Sequence, residues 1–207
     1  MIDFFLEAYK NKTAFDITME AIVFVFGILS VYYAKKENIL VYPTGIIATI
    51  ITVYLLFQAG YFADMTLNIY FSIMSIYGWI NWSKVKGNEH VYKISRTNDK
   101  QKIIGVLLFF LTIVVTYFVY HLFGQEILPE NYIDIITSGI FFTGMWYMAM
   151  KKIENWTLWI IGDIIAVPLY AYRGLGMLSL QYVFFTILAI LAYIEWRKIL
   201  NNKELIK

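Results

Sequence analysis

The chain has 207 residues, of which 60% are hydrophobic and 15% are charged, and its mean hydropathy is +0.62. Soluble domains contain about 45–50% apolar and about 25% charged residues, so this composition excludes an ordinary soluble enzyme. Apolar surface on this scale is hidden from water only by lipid. The absence of cysteine excludes disulfides and thiolate metal sites, and a net charge of +2 is too small to indicate a nucleic-acid partner.

Seven stretches are long and apolar enough to cross a lipid bilayer, which takes about 20 residues as a helix. We therefore predict an all-α integral membrane protein with seven transmembrane helices. The predicted spans are 17–34, 39–59, 64–83, 103–123, 132–150, 156–172 and 176–196. Residues 1–16 lack the apolar core of a cleaved signal peptide and are expected to form an extracytoplasmic segment. We expect a basic cytoplasmic loop over 84–102 and a cytoplasmic tail over 197–207.

Lysine and arginine are distributed unevenly between the two sides of the predicted membrane. Lys10, Lys12 and Arg173 lie on one side, and the other fourteen of the seventeen lie on the opposite side. Cytoplasmic loops carry an excess of these residues. The pattern predicts a multi-pass protein of the bacterial cell (inner) membrane with its amino terminus outside and its carboxyl terminus in the cytoplasm.

The chain carries a weak internal repeat. Glu20 and Asp134 open spans 1 and 5, and Trp82 and Trp196 close spans 3 and 7, each pair with the same offset of 114 residues. Repeats of this kind identify many transporter folds, in which the substrate binds between the repeats near the middle of the membrane. We therefore predict a transporter-like arrangement of two equivalent units.

The repeat defines the predicted architecture. Residues 17–83 and 132–196 form two parallel three-helix bundles, joined by a linker helix over 103–123, in a 3+1+3 plan like that of SWEET transporters. The loop residues 35–38 resemble 151–155 with a larger offset of 116, which we interpret as an insertion of two residues.

Span 6 places Trp156, Trp159 and Asp163 on one helical face, at positions i, i+3 and i+7. A carboxylate beneath two indole rings suits a flat cation, because ring faces attract positive charge and the carboxylate opposes it. An ionisable side chain within a span indicates a functional site. The alternative is that both tryptophans belong to the interfacial belt and that Asp163 is hydrogen-bonded to a neighbouring helix.

Further candidate substrate contacts lie in spans 3 and 7. Asn68, Ser72 and Trp79 follow a polar and aromatic stripe that is expected to face protein or a cavity, although small polar residues also serve helix packing. Gln181 lies within one residue of the repeat equivalent of Asn68. The offset of 114 places Tyr42 and Thr49 opposite Trp156 and Asp163, and we expect these two residues to act in gating or as secondary contacts of the substrate.

Two motifs give the chain a family resemblance. With Tyr77-Gly78-Trp79-Ile80-Asn81-Trp82 closing span 3 and Glu154-Asn155-Trp156-Thr157-Leu158-Trp159 opening span 6, it resembles the PnuC family of bacterial vitamin transporters over nearly its whole length. In the nicotinamide riboside members, two tryptophans spaced by three are followed four residues later by asparagine. Here Asp163 occupies that position, and Asn68 stands where a glutamine is expected.

The resemblance implies the 3+1+3 fold, assembly as a homotrimer and facilitated diffusion of a cationic vitamin through the lipid bilayer. A cytoplasmic kinase would trap the vitamin by phosphorylation, so the transporter would need no cofactor and no metal. Nicotinamide riboside is the expected substrate because the tryptophan pair is intact. Thiamine is also a flat cation, so it and riboflavin, another candidate vitamin, stay open as alternatives.

Two other classes of function remain at this point. An intramembrane enzyme would need a second deep acid, whereas Glu20, Asp64 and Asp134 all lie near span ends. A vitamin-binding membrane subunit without transport of its own is the other alternative. The only two histidines, His90 in the loop and His121 at the end of span 4, do not predict a paired metal site. We expect a transporter and not an enzyme.

Overall fold

The computed structural model describes residues 13–59, 62–87, 89–122, 127–173 and 176–205. These residues form seven helices and one short hairpin. The helices are α1 (Ala14–Lys35), α2 (Val41–Ala59), α3 (Phe62–Ser83), α4 (Asp99–Leu122), α5 (Pro129–Ala149), α6 (Glu154–Tyr172) and α7 (Gly176–Leu205). The hairpin pairs β1 (Val85–Lys86) with β2 (Glu89–His90). Each predicted span falls on one helix, so the sevenfold pattern is confirmed.

The largest extensions beyond the predicted bounds are those of α4 and α7. α4 begins at Asp99 because Asn98 and Gln101 cap it reciprocally, each backbone N–H donating to the other's side-chain oxygen at 3.0 and 2.9 Å. α7 runs on through Leu205, well past the predicted end of span 7. Most of the predicted amino-terminal segment, residues 1–12, lies outside the described residues.

Four of the described helices are long and apolar enough to cross a membrane by themselves: Ala14–Lys35, Val41–Gln58, Asp99–Leu122 and Gly176–Asn202. The other three, α3, α5 and α6, carry more polar side chains. In α5 and α6 several of these are buried inside the protein, including Asp134, Thr137, Asn155 and Asp163. Lower hydropathy is tolerated there because such groups face protein instead of lipid.

Six helices enclose a central space. Neighbouring helices pack within each set of three, α1 to α2 to α3 and α5 to α6 to α7. The two sets meet where α1 packs on α7 and where α3 packs on α5. α4 packs chiefly on α5. The sequence repeat thus corresponds to two sets of helices that share one interior, while the full 3+1+3 arrangement stays a prediction.

Two tight hairpins, α1–α2 and α5–α6, repeat each other closely. Glu37 and Lys151, 114 residues apart, are the two described non-glycine residues with positive φ, at 55° and 53°. The N–H of Glu37 donates to the carbonyl of Ala34 at 3.0 Å, and that of Lys151 donates to Met148 at 2.9 Å. The offset of 114 therefore runs through both hairpins without a gap.

The predicted insertion of two residues is wrong. Asn38 donates its N–H to Tyr33 and Lys152 donates to Tyr147, both at 2.9 Å, so Asn38 and not Lys36 is the counterpart of Lys152. The error arose from matching lysine to lysine, whereas the backbone turn is set by the residue with positive φ. The turn requires a positive φ at this position but no particular charge, so glutamate stands there in one hairpin and lysine in the other.

Each repeat reaches into the other through a tryptophan. The indole N–H of Trp82, near the end of α3, donates to the carbonyl of Met148 at 3.2 Å. The indole N–H of Trp196 in α7 donates to the carbonyl of Ala34, also at 3.2 Å. Donors and acceptors both differ by the repeat offset. Both indoles are fully buried, so each hairpin is tied to a helix of the other repeat by one of two equivalent hydrogen bonds.

Candidate functional site

A cavity of about 1200 Å³ lies within the ring of six helices. At one end its lining consists of buried residues from the two hairpins and α6, including Ala34, Tyr42, Met148 and Trp156. At the other end the lining includes the exposed residues Leu128 and Tyr172. We call these the hairpin end and the far end. In the part of the chain that the structure describes, the cavity is closed at the hairpin end.

Asp163 lines the cavity midway along α6, two turns beyond Trp156. Its side chain is 2% exposed. No charged group and no hydrogen-bond donor among the described residues contacts its carboxylate. The alternative in which Asp163 is hydrogen-bonded to a neighbouring helix is therefore not what the structure shows. A buried carboxylate without a partner is costly, which leaves it available to a positive ligand.

Aromatic rings line the same cavity as this carboxylate. Trp159 stacks on Phe141 with ring centroids 5.3 Å apart, and Phe141 stacks on Tyr182 at 6.2 Å. Tyr182 stacks in turn on Tyr170 at 5.1 Å. All four residues line the cavity, and the Trp159 indole N–H is buried without a partner in the described structure. We call this surface the aromatic wall; it favours a flat, cationic ring.

The opposite wall, from α2 and α3, is small and polar. The hydroxyl oxygens of Thr49 and Ser72 lie 2.7 Å apart, and the Ser72 hydroxyl donates to the carbonyl of Asn68 at 3.0 Å. Thr49 and Asn68 line the cavity together with Ser75 and Gly45. We call this surface the polar wall. It offers hydroxyl and amide groups to a ligand that is rich in hydroxyls.

The two walls are equivalent in the repeat but differ in chemistry. The offset of 114 relates Gly45 to Trp159 and Thr49 to Asp163. It also relates Asn68 to Tyr182, whose carbonyl accepts from Thr186 as that of Asn68 accepts from Ser72. The one-residue slippage that matched Gln181 to Asn68 is therefore wrong. The cavity is a symmetric scaffold with one aromatic, acidic side and one hydroxylic side.

Charged groups gather at the far end. The guanidinium of Arg173 is 2.5 Å from a carboxylate oxygen of Asp134, and the hydroxyl of Tyr120 lies 3.5 Å from the same oxygen. Glu20 and Glu130 also line this end of the cavity. Among the described residues that line this end, three carboxylates accompany one arginine.

The structure brings most of the predicted site residues together. The cavity is lined by Trp156, Trp159, Asp163, Asn68, Gln181, Tyr42 and Thr49. Ser72 does not line it but holds the Thr49 hydroxyl. Trp156 lies at the closed hairpin end, where it is the repeat counterpart of Tyr42.

Trp79 does not line the cavity, so the described geometry gives no support to its predicted substrate contact. Its side chain is 41% exposed and lies outside the cavity lining. At this level the buried face of α3 runs through Gly78, where a Cβ would lie 2.3 Å from the ring of Tyr42, and through Trp82. Trp79 lies outside this face.

Sequence reasoning missed the wall residues Phe141, Tyr170 and Tyr182. Each stands among other apolar residues of a predicted span, where aromatic side chains are common. Phe141 also depends on Gly162, because a Cβ there would lie 2.3 Å from the phenyl ring. The internal repeat was the available signal. Its offset makes Phe141 the counterpart of Gly27, so the second repeat has an aromatic residue where the first has glycine.

A family model described as "Nicotinamide mononucleotide transporter" matches residues 17–198. The chain belongs to this family. It is 27% identical over 195 residues to the nicotinamide riboside transporter PnuC of Escherichia coli K12, covering 83% of this chain and 82% of the relative. It is 25% identical over 202 residues to PnuC of Neisseria mucosa, covering 90% and 74%.

A solved structure has the same fold. The crystal structure of the vitamin B3 transporter PnuC superposes with a TM-score of 0.70 at 23% identity, covering 89% of this chain and 82% of that one. The predicted family is thus confirmed. This PnuC-family protein is a multi-pass membrane transporter and not an enzyme.

Proposed function

We propose that this protein carries nicotinamide riboside across the bacterial cytoplasmic membrane by facilitated diffusion. The observation that carries the proposal is the buried, unpartnered carboxylate of Asp163 in the cavity next to the aromatic wall. A transporter needs a site that is incomplete without its substrate. A flat cation would supply the missing charge partner and would gain ring contacts in the same place.

The two walls match the two halves of nicotinamide riboside. Its pyridinium ring is flat and positively charged, and its ribose carries hydroxyls. In the proposed complex Trp159 stacks on the ring and Asp163 balances its charge, while Thr49, positioned by Ser72, and Asn68 hydrogen-bond the ribose. The relatives in Escherichia coli and Neisseria mucosa are named for the same substrate, which supports this choice.

Three further residues complete the proposed site. Gln181 on α7 offers an amide to the polar edge of the ring, and Trp156 and Tyr42 form its floor at the hairpin end. The buried hydroxyl of Tyr42 and the indole N–H of Trp156 have no partner in the described structure, so both are available to substrate or water.

Thiamine is the second candidate substrate. It is also a flat cation with a hydroxyl, and a carboxylate at 163 recognises positive charge without distinguishing a pyridinium from a thiazolium ring. Asp163 stands where the nicotinamide riboside members of the family have asparagine, and this difference is the observation that favours thiamine as a second candidate. Calorimetric titration of the purified protein with nicotinamide riboside, thiamine and riboflavin ranks the three directly.

The proposal includes the membrane arrangement. We propose the 3+1+3 plan of parallel bundles, a homotrimer, an extracytoplasmic amino terminus and trapping of the vitamin by a cytoplasmic kinase. The hairpin end of the cavity then faces the cytoplasm, on the side of the basic loop. Single cysteines at the exposed positions Arg96 and Tyr172 test the orientation, since an impermeant thiol reagent should reach only Tyr172→Cys from outside the cell.

Uptake into proteoliposomes tests the transport activity. Radiolabelled nicotinamide riboside should equilibrate across the membrane without ATP or an ion gradient and without chemical change. Accumulation beyond equilibrium only when a vitamin kinase and ATP are enclosed would support trapping. Binding without flux would contradict the proposal and favour a vitamin-binding subunit.

A further inference from the structure

We propose that the hairpin end of the cavity is a gate that opens by movement of the α1–α2 hairpin, while the α5–α6 hairpin stays fixed. The inference requires that the protein be a transporter, and it does not depend on the identity of the substrate. The gate joins equivalent residues of the two repeats, so each half of the contact comes from a different hairpin.

An ion pair between repeat equivalents lies at the centre of this contact. The ammonium of Lys151 is 2.7 Å from a carboxylate oxygen of Glu37, and both residues occupy the positive-φ turn of their hairpin. The lysine side chain is 4% exposed and the glutamate 31%. The lysine also lies over the ring of Trp82, 4.5 Å from the centroid. Removal of Glu37 would leave a buried, unpaired charge, which is strongly unfavourable for the closed arrangement.

Two equivalent aromatic pairs seal the cavity beneath the ion pair. Tyr42 packs edge-on against Trp82 with centroids 5.2 Å apart, and Trp156 packs edge-on against Trp196 at 5.4 Å, both at 87°. All four side chains are buried. The Tyr42 hydroxyl and the Trp156 indole N–H are buried without partners among the described residues. Unsatisfied groups raise the free energy of the closed state, which favours a seal that exchanges with an open form.

One hairpin is held in place by an additional segment. The N–H of Ser95 donates to the carbonyl of Lys151 at 3.1 Å, and the N–H of Ile153 donates to the carbonyl of Ser95 at 3.0 Å. The ammonium of Lys152 donates to the Ser95 hydroxyl at 2.9 Å. The neighbouring Ile94 is fully buried. We call residues 94–97 the strap, because they fix the α5–α6 hairpin from outside the helix ring.

Among the described residues, no segment hydrogen-bonds the α1–α2 hairpin backbone as the strap bonds the α5–α6 hairpin. Within the described residues, the backbone hydrogen bonds of 35–42 are all internal to this hairpin. Its contacts with the second repeat are the packing of α1 on α7, the bond from Trp196 to Ala34 and the ion pair of Glu37. The hairpin with fewer fixed neighbours has the lower cost of displacement. The moving half is therefore the one that carries Glu37 and Tyr42.

The absence of native cysteine allows the gate to be probed with single thiols. Ala48→Cys places a small reporter in the cavity lining. Labelling by an impermeant reagent applied from the hairpin side should be slow, and Glu37→Gln in the same background should speed it about tenfold, the equivalent of about 1.4 kcal/mol. The double reversal Glu37→Lys with Lys151→Glu should restore slow labelling. Lys102→Gln, which breaks an exposed ion pair with Asp99, is the matched control and should change nothing.

Distances between spin labels test which hairpin moves. With a reference label at Lys100→Cys on α4, the distance to Lys36→Cys should change when Glu37→Gln is introduced, and the distance to Thr157→Cys should not. All three positions are exposed. Unchanged labelling of Ala48→Cys in a folded Glu37→Gln protein would overturn the gate. Movement of Thr157 instead of Lys36 would overturn the assignment of the moving half, and loss of substrate binding would not by itself bear on either.

Discussion

Asp163 in the second repeat occupies the position that Thr49 holds in the first, yet only the threonine has a partner on a neighbouring helix. The Thr49 hydroxyl oxygen is 2.7 Å from that of Ser72, whereas the Asp163 carboxylate makes no hydrogen bond to the described residues. The hydroxyl on the polar wall is thus already hydrogen-bonded within the described structure, whereas the carboxylate on the other side of the cavity is not. The four predictions below follow from this inequality and from the packing that surrounds it.

Trp159→Ala should reduce affinity for a cationic vitamin about tenfold or more, because the substitution removes the ring face next to Asp163. Trp79→Ala is a matched control, since it deletes the same side chain from the exposed surface of α3. It should leave affinity and uptake unchanged. Calorimetry on the two purified proteins makes the comparison, and equal losses of affinity would contradict the site described here.

Gly78→Ala should destabilise the protein by about 1–3 kcal/mol through overpacking. The added Cβ would lie 2.3 Å from the ring of Tyr42, so this ring would have to leave its place in the seal. Gly45→Ala is the control, because the nearest atoms to its Cβ would be the hydroxyl oxygens of Ser30 at 3.1 Å and of Ser75 at 3.7 Å. Thermal unfolding in detergent should show a lower Tm for the first variant than for the second; the reverse order would contradict the packing at the seal.

Thr49→Val should weaken binding about two- to tenfold, the effect of losing one hydrogen bond of about 0.5–1.5 kcal/mol. Because the polar wall is proposed to contact the ribose, the loss should be the same for nicotinamide riboside and for its reduced, uncharged form. Titration of the variant with both compounds measures this. A loss confined to the charged compound would place the ring and not the ribose against α2.

The sequence could predict the helices and the repeat, because apolar spans and paired markers such as Trp82 and Trp196 are visible without any contact information. It could also predict Asp163, since a carboxylate within a span is rare. It could not predict where the cavity ends. The same helical stripe contains Asn68, which lines the cavity, and Trp79, which does not, and the buried face of α3 at the level of Trp79 runs through Gly78 and Trp82 instead.

The strap and the ion pair were beyond prediction for a different reason. Glu37 and Lys151 carry opposite charges at equivalent positions, and a search for similar residues aligns lysine with lysine instead. Their equivalence is visible only in the backbone, where both adopt positive φ. Ser95 and Lys152 likewise meet only because a loop folds across the end of the helix ring.

Measuring the binding of a charged and an uncharged form of one ligand tests most directly whether Asp163 recognises the positive charge of the substrate. Asp163→Asn keeps the size of the side chain and removes its charge. The account predicts that affinity for nicotinamide riboside falls about 10- to 100-fold, as expected for loss of a contact between charged groups, while affinity for the reduced, uncharged form stays within about twofold. An Asp163→Asn protein that binds both forms as the unsubstituted protein does would contradict the account.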